Sequence, residues 1–169
     1  IGDGIWRFSE EEILPLVSYF DKHKNQYTIE KFVPASGAAT RMFKFLNEFL
    51  NEFDADNDTM NSYINKKNAK DVSIFIFGLK NFPFYRELKE KTIDLFPNYY
   101  SLSNDKRYYI LIKTLLSEEG LHFSHKPKGI LPFHVKGNKI VTPIEENIFE
   151  ADFFKKENDK TKIHFTITK

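Results

Sequence analysis

Residues 32–42 read FVPASGAATRM, and the prediction of the fold starts from them. A short run rich in β-branched and aromatic residues leads into small side chains, and apolar residues at helical spacing follow. The sequence therefore predicts a strand over residues 27–33, a loop from Pro34, and a helix from about Thr40 to Asn51. A strand that leads directly into a helix is a building unit of α/β folds.

The loop after this strand has the composition of a phosphate-binding loop. Small side chains let the backbone approach a ligand closely, and the N–H groups at the start of a helix attract anions. Thr40 would add a hydroxyl, and Arg41 a charge that contacts phosphate through two nitrogens. We predict phosphate binding by Ala35, Ser36, Gly37, Ala38, Thr40 and Arg41. The alternative is a tight turn of small residues, with Arg41 paired to a carboxylate such as Glu145 or Glu146.

Two familiar phosphate-binding motifs do not describe this loop. A P-loop would end in Gly-Lys-Ser or Gly-Lys-Thr, which is absent here. The dinucleotide fingerprint needs several glycines, and only Gly37 is present. The type of nucleotide therefore has to be inferred from other parts of the chain.

A second basic segment, KPKG, occupies residues 126–129. Pro127 and Gly129 restrict the backbone on both sides of Lys128, which suits a lysine that points its ammonium at a phosphate. The alternative is a solvated basic turn. Nearby, His122, His125 and His134 lack the regular spacing and fourth partner of a zinc site, so we predict no metal ligands and a substrate contact for His134.

Composition excludes several functional classes. The chain of 169 residues has 25 Lys and Arg, 24 Asp and Glu, and no cysteine. The balanced charge gives no bulk attraction to nucleic acid or anionic membranes, and disulfides, thiolate catalysis and cysteine-ligated metals are excluded. No apolar run approaches the ~20 residues that span a bilayer. We predict a cytoplasmic protein without nucleic-acid or membrane partners and leave its oligomeric state open.

The remaining segments predict further elements. Residues 9–12, SEEE, form a capping box before a helix that runs to about His23. Residues 59–119 carry helical stripes and caps, with Pro83 as a first-turn residue and Gly120 as the C-cap of a helix from Asn104. A hairpin turn over residues 136–139 precedes a helix from Thr142 to about Lys156, and residues 162–168 alternate like a strand.

These elements predict an α/β fold with a partial sheet and a large α-helical insertion. Residues 1–58 and 120–169 would form the α/β domain, and residues 59–119 the insertion. We expect the chain to be a fragment of a longer protein, because it starts with neither an initiator methionine nor a signal peptide. We take it to be the N-terminal part of that protein and of its α/β domain.

Three patches resemble nucleotidyltransferases that join sugar 1-phosphates to nucleoside triphosphates. That family has a Gly-rich loop ending in Gly-Thr-Arg-Met or Gly-Thr-Arg-Leu, and a Pro-Lys pair before Leu-Leu-Pro. Residues 39–42 read ATRM, residues 127–132 read PKGILP, and residues 142–147 read TPIEEN, where that family begins a helix. The resemblance implies a nucleotidyltransferase-like (GT-A or Rossmann-like) fold. It also implies catalytic roles for Arg41 and Lys128 and a Mg²⁺ cofactor whose ligands lie outside this chain.

The chain as a whole is similar to an uncharacterised bacterial family, domain of unknown function 4301. The similarity includes the runs FVPASGAATRMFK, at residues 32–44, and PKGILPFH, at residues 127–134. Together the two resemblances imply a nucleotide-binding protein that transfers a nucleotidyl group to a phosphorylated small molecule such as a sugar 1-phosphate. The alternative is a non-catalytic module that binds nucleotide or phosphate.

Overall fold

The computed structural model describes residues 4–35, 37–154 and 161–166. The chain divides into two compact units, Ile1–Val33 with Asn147–Phe165, and Pro34–Glu146 with Thr166–Lys169. These boundaries differ from the predicted 58/59 and 119/120. The division does not test whether residues 59–119 are an insertion, which stays a prediction.

The described residues form a mixed α/β structure in which helices predominate. The α-helices are α1 (Glu10–His23), α2 (Lys44–Glu52), α3 (Met60–Lys67), α4 (Lys70–Gly78), α5 (Tyr85–Leu95), α6 (Asn104–Leu116) and α7 (Pro143–Ala151). The strands are β1 (Glu30–Pro34), β2 (His134–Lys136), β3 (Lys139–Val141) and β4 (Lys162–Thr166), paired as β1–β4 and β2–β3. None of the described helices is long and apolar enough to cross a membrane.

The first unit contains α1, whose predicted capping box is confirmed. The Ser9 amide donates to the Glu12 carboxylate at 2.8 Å, and the Ser9 hydroxyl accepts from the Glu12 amide at 3.3 Å. The helix ends at His23 as predicted, and it accommodates Pro15. No residue of α1 is buried, so its apolar stripe of Ile13, Leu16, Val17 and Phe20 is exposed in this structure.

The β1–β4 pair is held by side chains as well as by its backbone. Glu30 pairs with Lys162 at 3.1 Å and with the His164 ring at 2.8 Å, while the Phe32 ring stacks on His164 with centroids 4.3 Å apart. At the end of β1, the Ala35 amide donates to the Thr166 carbonyl at 3.1 Å. This bond fixes the point at which the chain leaves the strand for the predicted loop.

The second unit has an aromatic-rich core, as expected from the 18 phenylalanines in the sequence. The largest fully buried side chains come from α2, α5, α6 and the segments beside them; they include Phe49, Phe84, Leu88, Leu111, Ile112, Leu115, Phe123 and Leu131. Phe43 and Phe123 belong to this core with ring centroids 6.3 Å apart, and each lies within three residues of a predicted site segment. The core therefore anchors both segments.

The predicted helical character of residues 59–119 is confirmed by α3, α4, α5 and α6. The apolar run at residues 72–77 lies in α4. Pro83 is not a first-turn residue, because α5 begins at Tyr85 after an N-cap at Phe84. Helix α7 ends at Ala151, earlier than the predicted end at about Lys156, and a 3₁₀ turn follows at Asp152–Phe154. Residues 155–160 and 167–169 lie outside the described residues.

The hairpin and the start of α7 are also confirmed. Strands β2 and β3 are antiparallel with Val135 opposite Ile140. Gly137 has φ +60°, which fits the first central position of a type II′ turn. The Glu145 carboxylate accepts from the Thr142 amide at 2.6 Å and from its hydroxyl at 2.8 Å, so Thr142 and Glu145 cap the start of α7.

Candidate functional site

Two segments that lie far apart in the sequence pair directly. Ala38 and Pro127 form an antiparallel bridge. The Ala39 amide donates to the Lys126 carbonyl at 3.2 Å, and the Lys128 amide donates to the Gly37 carbonyl at 3.0 Å. We call residues 35–41 and 126–129 the paired loops. Ser36, one of the predicted phosphate-binding residues, lies outside the described residues.

This pairing places Arg41 and Lys128, the two cations predicted to bind phosphate, on neighbouring loops. A Cβ atom built on Gly37 would lie 3.8 Å from Lys128 Cδ, so the lysine stem passes over the glycine. Arg41 follows on the same loop as Gly37, and both cations are exposed. Within the described part of the chain, no carboxylate forms an ion pair with Arg41 or Lys128. Their charges are therefore open to an anionic ligand.

The local helix differs from the prediction. Residues Ala39–Arg41 form a 3₁₀ turn, and α2 starts only at Lys44. Ala38 is extended, with φ −64° and ψ 146°, and bridges Pro127. The 3₁₀ turn begins at the next residue, Ala39, whose amide donates to the Lys126 carbonyl. Arg41 thus precedes α2, so the prediction that the α-helix starts at about Thr40 is wrong. Phosphate binding by this loop stays a prediction.

The Thr40 hydroxyl forms a hydrogen bond within the protein. Its hydroxyl donates to the Ser124 carbonyl at 3.1 Å, and a hydroxyl has only one hydrogen to donate. The buried Ser124 hydroxyl in turn donates to the Leu116 carbonyl at 3.1 Å, at the end of α6. Thr40 therefore ties its loop to α6. Sequence analysis missed Ser124, since a serine in a loop carries no signal of a buried hydrogen bond to a distant helix.

The basic segment includes further groups near the paired loops. The Lys126 ammonium lies 5.5 Å from the centroid of the Phe123 ring, a cation–π distance. The rings of His122 and His125 are 4.6 Å apart, and His122 has φ +56°, in the left-handed region. His134 is exposed in β2, opposite Val141, without a hydrogen bond to the paired loops among the described residues. The structure therefore does not join His134 to Lys128.

A metal site is not formed by the described residues. They contain no group of three His, Asp or Glu side chains arranged to hold an ion. The three histidines therefore do not form a zinc site there, and the Mg²⁺ implied by the resemblance finds no ligand set among them. We assign no chemical step to a metal.

Gly129 connects the paired loops to α7. It is buried, and a Cβ atom at this position would lie 3.1 Å from Ile144 Cγ1 and 3.2 Å from Ile144 Cδ1. The same atom would be 3.7 Å from the Ala35 Cβ. The sequence predicted that Gly129, together with Pro127, restricts the backbone around Lys128. The structure shows instead that Ile144 occupies the space into which a side chain at position 129 would extend.

Comparison with protein-family models gives a match over the whole chain. The family model described as "Domain of unknown function (DUF4301)" matches residues 1–169. Neither the curated proteins nor the solved structures contain a match.

Proposed function

The chain belongs to the DUF4301 family, and we propose that this member binds a nucleotide through its phosphate groups at the paired loops. The observation that carries the proposal is the antiparallel pairing of residues 37–39 with residues 126–128, which lays Lys128 over Gly37. Lys128 and Arg41 are exposed on the two paired loops, each without a carboxylate partner among the described residues, and supply two positive charges for contact with a polyphosphate.

We further propose nucleotidyl transfer to a phosphorylated small molecule, such as a sugar 1-phosphate, on a nucleotidyltransferase-like fold. A phosphate oxygen of the acceptor attacks the α-phosphorus of a nucleoside triphosphate, and the bond to the bridging oxygen breaks to release pyrophosphate. Arg41 and Lys128 stabilise the negative charge that develops on the transferring group. This part of the proposal is supported by the resemblance of residues 39–42, 127–132 and 142–147 to that enzyme class.

Binding is tested by calorimetry and thermal shift with nucleoside mono-, di- and triphosphates. A ligand at 100 times its Kd stabilises the folded state by ~2.7 kcal/mol, which a melting curve detects. We expect Lys128→Ala to weaken binding of triphosphates at least ~10-fold, a loss of about 1.4 kcal/mol. Lys139→Ala, in the exposed β2–β3 hairpin, is the matched control and should bind like the wild type.

Different outcomes separate the two parts of the proposal. No binding of any nucleotide, or equal affinity in the wild type and Lys128→Ala, would refute nucleotide binding at the paired loops. Pyrophosphate release from a triphosphate and a sugar 1-phosphate tests transfer. Binding without release would favour the non-catalytic module.

A further inference from the structure

The turn that carries Lys128 rests directly against α7. Gly129 has a φ outside the left-handed region, so its backbone conformation is open to other residues. The lack of a side chain matters because Ile144 already fills the adjoining space, with Cγ1 and Cδ1 only 3.1 and 3.2 Å from where a Cβ would lie. The isoleucine therefore contacts the backbone next to Lys128.

Ile144 has a fixed position of its own. It is the second residue of α7, and the start of this helix is set by the hydrogen bonds between Thr142 and Glu145. The Glu146 amide also donates to the Thr142 carbonyl at 2.9 Å. The hydrogen bonds in the first turn of α7 thus fix the position of Ile144 next to Gly129.

The opposite side of the turn is held by the other paired loop. Ala35 lies against Gly129, and the Lys128 amide donates to the Gly37 carbonyl at 3.0 Å. If Ile144 pushed Gly129 out of place, the hydrogen bond between the Lys128 amide and the Gly37 carbonyl would be strained. If the Ile144 side chain were removed, only the other paired loop would support the turn.

We propose that Ile144 is a positioning residue that sets the location of the Lys128 ammonium through its contact with Gly129. This role rests on the proposed function, since it matters only if Lys128 binds the ligand. Ile144 acts through packing and does not touch the nucleotide.

The test is a double-mutant cycle of Gly129→Ala, Ile144→Ala and both together. Gly129→Ala introduces a methyl group into occupied space, so we expect ~10-fold weaker binding of ATP or UTP, equivalent to about 1.4 kcal/mol. The double variant has room for that methyl group and should recover most of the affinity. Coupling of this kind appears as a non-additive cycle, whereas additive effects would overturn the proposal.

A readout without ligand separates this proposal from the proposed function. Amide hydrogen exchange at Lys128 reports its bond to Gly37 directly, and we expect faster exchange in Gly129→Ala and recovery in the double variant. Gly78→Ala, where nothing lies within 4 Å of the added methyl group, is the control. If the wild type binds no nucleotide, the proposed function fails, whereas unchanged exchange at Lys128 in every variant would show that Ile144 does not set the turn.

Ile144→Ala by itself carries the test if Gly129→Ala does not fold. It removes the support from the turn without adding atoms, so the Lys128 amide should exchange faster and nucleotide affinity should fall at an almost unchanged melting temperature. Wild-type affinity and exchange in this variant would contradict a positioning role.

Discussion

At the scale of single residues, Thr40 and Arg41 are neighbours in different environments. Thr40 donates its only hydroxyl hydrogen to the Ser124 carbonyl, so its contribution is to hold the loop. Arg41 is exposed and has no ion-pair partner in the part of the chain that the structure describes. One residue therefore supports the fold and the next is available to a ligand.

Replacing Thr40 tests its structural role. Thr40→Val keeps the shape of the side chain but removes the donor to Ser124, so we expect a loss of ~1 kcal/mol in the free energy of unfolding. Thr40→Ser keeps the hydroxyl and should stay within ~0.5 kcal/mol of the wild type. Urea denaturation of the two variants measures the difference, and equal stability would mean that the hydrogen bond contributes nothing.

Replacing Arg41 tests ligand binding. Arg41→Ala should change the free energy of unfolding by no more than ~0.5 kcal/mol, because the side chain is exposed and forms no ion pair with any described residue. Nucleotide affinity should fall at least ~10-fold, and Arg41→Lys should also weaken binding because lysine lacks the two-pronged contact. Melting temperature and affinity are measured together. Full affinity in Arg41→Ala would remove Arg41 from the site, whereas a loss of ~3–5 kcal/mol in stability would reveal a buried carboxylate partner.

At the scale of elements, the segment that follows α6 leads the chain to the second of the paired loops. After α6 the chain turns back over the helix, and the Leu121 amide donates to the Thr114 carbonyl at 2.8 Å. Gly120 was predicted as a C-cap, but the C-cap is Ser117. Glycine occupies position 120 because a Cβ there would lie 1.8 Å from the Thr114 carbonyl oxygen. This close approach directs the chain toward Ser124 and Lys126.

Gly120→Ala should therefore destabilise the protein severely. The clash involves backbone atoms, which cannot rotate away as a side chain would, so we expect a loss of at least ~3 kcal/mol. Gly78→Ala, at the end of α4 with open space around it, should be neutral or stabilise by up to ~1 kcal/mol. Chemical denaturation compares the two variants. A tolerated Gly120→Ala would contradict the close approach to Thr114.

The cap of α7 predicts a pH dependence. The pKa of Glu145 lies below its ordinary value because the Thr142 amide donates a hydrogen bond to the carboxylate and, with a smaller effect, the Thr142 hydroxyl does so too. A lowered folded-state pKa means that the stabilisation is present above the unfolded-state pKa and disappears as the pH falls through the folded-state pKa. We expect the Thr142 amide resonance to titrate in that acidic range. Glu145→Gln should abolish the titration, and a midpoint at the ordinary carboxylate value would show that the cap is absent in solution.

At the scale of the whole molecule, the two compact units differ in how much they bury. Helix α6 contains Ile110, Leu111, Ile112, Leu115 and Leu116 among its buried residues, whereas α1 contains none. Resistance to local unfolding follows the apolar surface that an element buries. The second unit therefore provides the rigid frame for the paired loops.

Hydrogen exchange should show this difference. Amides of α6 around Ile112 and Leu115 should exchange slowest, near the rate set by global unfolding, and amides of α1 should exchange among the fastest of all helices. Exchange mass spectrometry with peptide resolution is sufficient. Equal protection of α1 and α6 would mean that the apolar stripe of α1 is covered in solution.

The sequence by itself determined the features that depend on neighbouring residues. The helical stripes of residues 60–116, the caps at Ser9 and Thr142 and the turn at Gly137 all follow from contacts within a few positions. Such signals are readable because caps, turns and periodicity involve residues close together along the chain. The composition of the loop at residues 34–40 likewise indicated a candidate site before any contact was known.

Only the tertiary structure decided how those elements are used. The loop pairs with residues 126–128, and a 3₁₀ turn stands at Ala39–Arg41 where the start of an α-helix was predicted. The Ser124 carbonyl accepts the hydrogen that Thr40 was predicted to offer to phosphate. Gly120 and Gly129 are small because Thr114 and Ile144 lie against them. Each of these outcomes depends on which atoms meet after the chain has folded, and that proximity is a property of packing and not of local sequence.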